Sequence, residues 1–162
     1  EMGPFINPLV TPDKFKNSKI TYIDNDRGAL GFLRENLGQN VQCIEGDLDA
    51  LDDVEELREV SPDYAVASQV LNYLDYRAFL STVIERLKKG GMLFINNVPD
   101  YGITKFFAPQ GARPKSNAEV MKVVKEMGCE IVEHLLVPPT DPTSKTFPHQ
   151  RDERLLLVAR KS

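Results

Sequence analysis

The sequence predicts an α/β fold: a doubly wound, mostly parallel sheet with helices on both faces, closed by an antiparallel C-terminal hairpin. Three observations predict it. Short β-rich runs alternate with segments of helical spacing through most of the chain, the pattern of parallel strands joined by helical crossovers. Two further strand-like runs then follow one another without a helix between them, so one strand runs antiparallel to its neighbours. Apolar residues make up 41% and charged residues 27%, a composition that supports a packed core rather than disorder.

Each element has its own signal. Residues 19–24 (KITYID) form a β-rich run that ends in an acid. Residues 26–37 carry Leu30, Leu33 and Leu37 at helical spacing, and Gly38 stands where a helix stops. Residues 41–45 (VQCIE) are a second strand and residues 52–60 a short charged helix; Pro62 precedes a third strand at 63–68 (DYAVAS). Residues 76–89 give the clearest helix, with Phe79, Leu80, Val83, Ile84 and Leu87 on one face. Its end, Lys88 and Lys89, suits the negative pole of the helix dipole, and Gly90 suits the C-terminal cap. Residues 92–95 are the next strand, and 118–128 a helix with Asn117 as N-cap. Residues 130–137 and 154–160 are the last two strands. The loop between them, 138–151, holds Pro138, Pro139, Pro142 and Pro148.

With 162 residues, the chain fits one domain on the usual scale of ~100–200 residues. Such a chain buries a sizeable core without disulfides or metal, and no metal site is predicted. The 20 Lys and Arg against 24 Asp and Glu leave a net charge of −4. No basic surplus marks a nucleic-acid or membrane partner. Cys43 and Cys129 do not make a disulfide framework, and the composition suits a reducing cytoplasm. No apolar stretch approaches the ~20 residues of a spanning helix, and the N-terminus has no signal-peptide pattern.

In open α/β sheets ligands bind beyond the carboxyl ends of the strands, so the residues just after each strand are the functional candidates. Four places qualify. Glu1-Met2-Gly3-Pro4 opens with a glycine that lets backbone approach a ligand. Asp24 follows Gly3 at a distance suited to a hydrogen bond with ribose hydroxyls. Gly46-Asp47-Leu48 combines an acid able to accept from an exocyclic amine with a leucine able to cover an aromatic ring. Ser68-Gln69 opens the next crossover. Taken singly, each has an ordinary structural use as a cap, a turn or a strand end; their joint order is what carries the functional expectation.

The same residues resemble a class I S-adenosylmethionine-dependent methyltransferase, of the type 11/12-like group, over the whole chain. The resemblance rests on Glu1-x-Gly3-Pro4, Tyr22-Ile23-Asp24, Glu45-Gly46-Asp47-Leu48 and Asp63-Tyr64-Ala65-Val66-Ala67-Ser68-Gln69. Its most specific part is Leu87-Lys88-Lys89-Gly90-Gly91-Met92-Leu93, which is similar to the family's L-K-P-G-G-x-L turn. The resemblance implies a Rossmann-like fold with S-adenosylmethionine as cofactor. It implies that Glu1, Gly3 and Pro4 face the cofactor's methionine part, that Asp24 holds the ribose and that Asn25 lies near the adenine. Gly46, Asp47 and Leu48 would take the adenine, and Ser68 and Gln69 the methionine amine and sulfonium. Phe5 and Asn7 stand where the usual G-x-G-x-G has its second and third glycines; variants of the form E-x-G-P occur in the family. The family's first, central strand would precede Glu1, so residues 1–162 are expected to be a single domain that is incomplete at its N-terminus.

On the acceptor side, Asn97, Asp100 and Tyr101 follow the fourth strand and are placed to orient a substrate, with Phe106 and Phe107 as an apolar wall. No catalytic base is assigned: His134 lies within a strand run and His149 in the proline-rich loop. No Asn-Pro-Pro-Tyr run follows residues 63–68, which with the net charge points to a small-molecule acceptor. A lid would come from an upstream segment, from residues 101–115 or 138–150, or from a second subunit in a homodimer. Two alternatives stand beside methyl transfer: a non-catalytic scaffold or ligand-binding protein of the same fold, and an NAD-dependent oxidoreductase. The second lacks a G-x-G-x-x-G opening a helix.

Overall fold

The structure is a computed structural model that describes residues 17–36, 41–98, 112–143 and 153–162. It divides into two compact units, residues 1–58 and residues 59–162. The described strands form two sheets, and none of them pairs with both.

The first unit is built on a β–α–β turn of chain: β1 (Ile20–Asp24), α1 (Arg27–Asn36) and β2 (Val41–Glu45). β1 and β2 are parallel, in a register running from Ile20 opposite Val41 to Asp24 opposite Glu45. Asp26 starts α1 by accepting from the backbone N–H groups of Gly28 (2.8 Å) and Ala29 (3.2 Å), and Leu30 and Leu33 are buried as their spacing requires. Leu37 and Gly38 lie outside the described residues. The charged helix expected at 52–60 is instead two short 3-10 turns, Leu48–Asp53 and Glu55–Leu57. The reason is periodicity. Leu51, Val54 and Leu57 recur every three residues, the repeat of a 3-10 turn, and Ala50 leaves helical geometry at φ −131°, ψ 41°.

The second unit contains β3 (Tyr64–Ser68), α2 (Tyr76–Arg86), β4 (Met92–Asn97), α3 (Asn117–Glu126), β5 (Cys129–Val137) and β6 (Arg154–Lys161). Its sheet has the order β3-β4-β6-β5. β3 and β4 are parallel, and β6 runs antiparallel to both β4 and β5, the single reversed strand that the sequence predicts. Ala67, Leu93, Ile95, Leu155, Leu157 and Ala159 are buried at alternate positions, as are Val120, Val123 and Val124 of α3, which packs on β5 and β6. The intervening strand residues Tyr64, Val66, Phe94 and Leu156 are exposed, Val66 at 74%. One face of this sheet is therefore open among the described residues, where alternation predicts cover on both.

Two helix ends differ from expectation. α2 closes at Arg86 with Leu87 as its C-cap, so Gly90 is not a cap but part of the turn into β4, at φ 76°. α3 is capped by Ser116, whose Oγ accepts from the Glu119 N–H (3.1 Å). Asn117 is already helical, and its Nδ2 reaches the Glu153 carbonyl instead (3.1 Å). The Lys88–Gly91 turn is pinned on several sides. Lys88 Nζ holds both Asp63 carboxylate oxygens (2.8 and 2.9 Å), and the Gly90 N–H donates to the Lys161 carbonyl (3.0 Å). A Cβ on Gly91 would stand 2.8 Å from the Lys88 carbonyl oxygen. The most specific run of the sequence thus serves strand placement rather than ligand contact.

Candidate functional site

Because β1 and β2 are parallel, their carboxyl ends lie side by side in the first unit. Asp24 closes β1 opposite Glu45, and its backbone carbonyl accepts from the Gly46 N–H (3.1 Å). Asp24 Oδ1 accepts from the Asp26 N–H (2.9 Å), while Asp26 takes the work of capping α1. The carboxylate of Asp24 is therefore held by the Asp26 N–H without being consumed as the helix cap, and a carboxylate offers about four acceptor positions. Tyr22, two residues earlier on the same face of the strand, has its phenol held above the usual tyrosine range, first by burial and then by the charge and hydrogen bond of Asp24. A neutral hydroxyl beside that carboxylate keeps its charge from being repelled.

Asn25 is exposed in the bend between β1 and α1. Gly46 has a packing role: a Cβ there would come within 3.1 Å of Val54 Cγ2 and 3.3 Å of Ile23 Cγ2. Asp47 is exposed and caps the first 3-10 turn, accepting from the Asp49 N–H (3.0 Å). Leu48 is half-buried at the start of that turn. Thus Asp24 and Asp47 stand at neighbouring strand ends, as the sequence arrangement requires, and each also stabilises its own turn. Glu1, Gly3 and Pro4 lie outside the described residues.

In the second unit Ser68 ends β3 opposite Asn96 of β4. Gln69 then adopts φ 58°, a left-handed conformation uncommon for a residue with a side chain and found preferentially at functional sites. Its N–H donates to the Asn96 carbonyl (2.8 Å). Its side-chain Nε2 donates to Asn96 Oδ1 (3.3 Å), and Asn96 Nδ2 donates to Ser68 Oγ (3.2 Å). The structure therefore joins Ser68 and Gln69 through Asn96, which the sequence places just after a strand but to which it assigns no role. Only its place at the end of a parallel strand, in register with Ser68, marks it.

Next to it, Asn97 is fully buried, and among the described residues neither its Nδ2 nor its Oδ1 has a partner. Asn72, also buried, donates from Nδ2 to the Val98 carbonyl (2.6 Å). Tyr76, at the start of α2, is buried, and its phenol is pushed up to about 12, chiefly by burial and further by the negative charge of Glu119. Glu119 is held below the usual carboxylate range, foremost by the Lys115 N–H. Asn97 and Asn72 thus put two buried amides at the carboxyl end of β4. Asp100 and Tyr101 lie outside the described residues, as do Phe106, Phe107 and His149. His134 is exposed on β5 opposite Leu157, away from the strand ends that carry the other candidates.

A family model described as a methyltransferase domain matches residues 3–95. That span takes in Gly3, Asp24, Asp47 and the Ser68-Gln69 turn. The chain belongs to this methyltransferase-domain family, a family of S-adenosylmethionine-dependent enzymes, and has its Rossmann-like fold. Similar solved structures include the N-methyltransferase NodS from Bradyrhizobium japonicum in complex with S-adenosylhomocysteine, at 17% identity and TM-score 0.65, covering 88% of this chain and 66% of that one. Another is the 1,6-didemethyltoxoflavin-N1-methyltransferase of Burkholderia thailandensis, at 18% identity and TM-score 0.62, covering 89% and 61%. A third is the [4+2]-cyclase SpnF, at 18% identity and TM-score 0.63, covering 88% and 66%. The chain therefore spans less than two thirds of the length of these three proteins. No match is found among curated proteins. Among the described residues, no helix is long and apolar enough to cross a membrane.

Proposed function

We propose that this chain forms the S-adenosylmethionine-binding part of a methyltransferase that acts on a small-molecule acceptor. The observation that carries the proposal is the coincidence of the family match with three candidate strand ends: Asp24, Asp47 and the Ser68-Gln69 turn. When bound, the cofactor supplies an electrophilic methyl group. The protein's own contribution is placement and exclusion of water. Asp24, with one oxygen fixed by the Asp26 N–H, accepts from the ribose hydroxyls. Asp47 accepts from the adenine amine, with Leu48 against the ring and Asn25 nearby. Ser68 and Gln69 meet the methionine end, together with Glu1, Gly3 and Pro4. Three carboxylates, at Glu1, Asp24 and Asp47, suit a cationic sulfonium ligand.

The acceptor is orientated by Asn97, Asp100 and Tyr101. A small molecule is favoured by the net charge of −4 and by the absence of an Asn-Pro-Pro-Tyr run after Ser68. The protein acts in the cytoplasm, without nucleic-acid or membrane partners, and a homodimer is the assembly that would provide a lid from a second subunit. Incubation with methyl-labelled S-adenosylmethionine and a fractionated cell extract tests this. Label is expected in the low-molecular-weight fraction; label confined to protein or nucleic acid overturns the acceptor class. A second possibility is ligand binding or other chemistry without methyl transfer, since the similar SpnF structure is that of a [4+2]-cyclase and one fold hosts several chemistries. Cofactor binding with no labelled product in any fraction favours it.

A further inference from the structure

The strained turn after β3 is held by a side chain that no functional assignment uses. Gln69 carries φ 58°, a conformation in which glycine would be free of strain, yet the position holds glutamine. Its carboxamide explains why a side chain is useful there. Nε2 donates to Asn96 Oδ1 (3.3 Å), and Asn96 in turn donates from Nδ2 to Ser68 Oγ (3.2 Å). The three groups form a row with one polarity. Asn96 spends its only NH2 group on Ser68, so its oxygen is what faces Gln69. Gln69 must then spend its NH2 group on Asn96, which leaves Oε1 as the end of its amide that is offered outward. Reversing one amide alone would set two donors or two acceptors against each other, so the Gln69 and Asn96 carboxamides keep a common sense along the row.

This row is not needed to align the strands. β3 and β4 are already paired over five positions, from Tyr64 opposite Met92 to Ser68 opposite Asn96, and the Gln69 N–H is anchored on the Asn96 backbone carbonyl (2.8 Å). Asn96 and Gln69 are half-buried and Ser68 is exposed, so water would satisfy these groups if they had no further use. We propose that Asn96 is a positioning residue. Through Ser68 and Gln69 it fixes the Gln69 carboxamide with its oxygen as the free acceptor, ready for the cationic, N–H-bearing methionine end of the cofactor. This rests on the cofactor assignment made above, and extends it to a residue outside the matched motifs.

Calorimetric titration of S-adenosylhomocysteine into the chain, with Asn96→Ala, Gln69→Ala, the double variant and Asn96→Asp, tests the proposal. Asn96→Ala is expected to weaken binding about five-fold, the scale of one hydrogen bond. The double variant should bind no more weakly than Gln69→Ala alone, because Asn96 acts through Gln69. Asn96→Asp, whose carboxylate accepts from both the Gln69 amide and the Ser68 hydroxyl, should restore binding. Wild-type affinity in Asn96→Ala, multiplying losses in the double variant, or no rescue by aspartate overturns it. The free protein provides a separate readout: the Gln69 side-chain amide resonances should move toward those of a solvated amide in Asn96→Ala but not in Asn96→Asp. Unmoved resonances reject the row itself while wild-type binding keeps the cofactor assignment. Moved resonances in a chain that binds no S-adenosylhomocysteine reject the cofactor assignment, and the positioning role with it.

Discussion

The strands of residues 17–58 and those of residues 59–162 are buried to different depths. Every residue of β1 is half-buried, and Ile44 alone in β2 is fully so. In β4 and β6, by contrast, alternate side chains are sealed off, with Leu93, Leu155 and Ala159 showing no exposed surface. A strand in a two-stranded sheet has few neighbours to exclude water, whereas a four-stranded sheet with a helix on it builds an inner layer. The difference separates two ways of making a site. In the first unit, acids at strand ends hold their own turns and keep spare acceptor positions. In the second, a packed layer supports a strained residue and a buried amide: Gln69 at positive φ, and Asn97 with neither end of its amide bonded among the described residues.

Core truncation should expose this contrast most strongly. Leu93→Ala is expected to cost about 2–5 kcal/mol, the usual range for a sealed leucine, whereas Ile23→Ala, half-buried in β1, should cost about 1 kcal/mol. Chemical denaturation measures both, and equal losses would erase the distinction. A pH effect of intermediate size should follow from Tyr76 in the second unit. Its folded pKa of about 12 lies above the ordinary 10.0. The stability it contributes is therefore fully present below pH 10 and is lost as pH rises through about 12. At about 1.4 kcal/mol per pH unit this amounts to about 3 kcal/mol. Tyr76→Phe should flatten that part of the stability curve, and an unchanged decline would show that other groups cause it. A smaller effect has the opposite sign. Asn97→Leu removes a buried amide with no partner and should raise stability by about 1–2 kcal/mol, while methyl transfer falls if Asn97 meets the acceptor. A loss of stability would show that the amide is satisfied within the fold.

Much of the architecture was legible because it obeys local rules. The order of strands and helices follows from period and spacing, and the reversed β6 from two strand runs joined by a proline-rich loop. The Lys88–Gly91 turn was visible because its glycine is a steric necessity: a Cβ at Gly91 would collide with backbone. The segment 52–60 reads as one helix because its acidic residues conceal an apolar repeat of three, at Leu51, Val54 and Leu57. Asn117 reads as a cap because asparagine suits one, but Ser116 lies one residue earlier and its hydroxyl makes the bond. Of the site, Asp24, Asp47 and Ser68 could be found from their places after strands. Asn96 stands just after residues 92–95, within the stretch that placement marks, but its tie to Ser68 and Gln69 arises from register and from the backbone angle of Gln69, neither of which leaves a mark in composition or spacing.

The central claim is that strand-end acids of this chain hold S-adenosylmethionine. Calorimetric titration of S-adenosylhomocysteine into the wild-type chain and into Asp24→Asn tests it most directly. The account predicts one bound molecule per chain, with affinity lowered by Asp24→Asn by about 2 kcal/mol, some thirty-fold, the scale of hydrogen bonds to a charged carboxylate. Absence of binding, or binding that Asp24→Asn leaves unchanged, would contradict it.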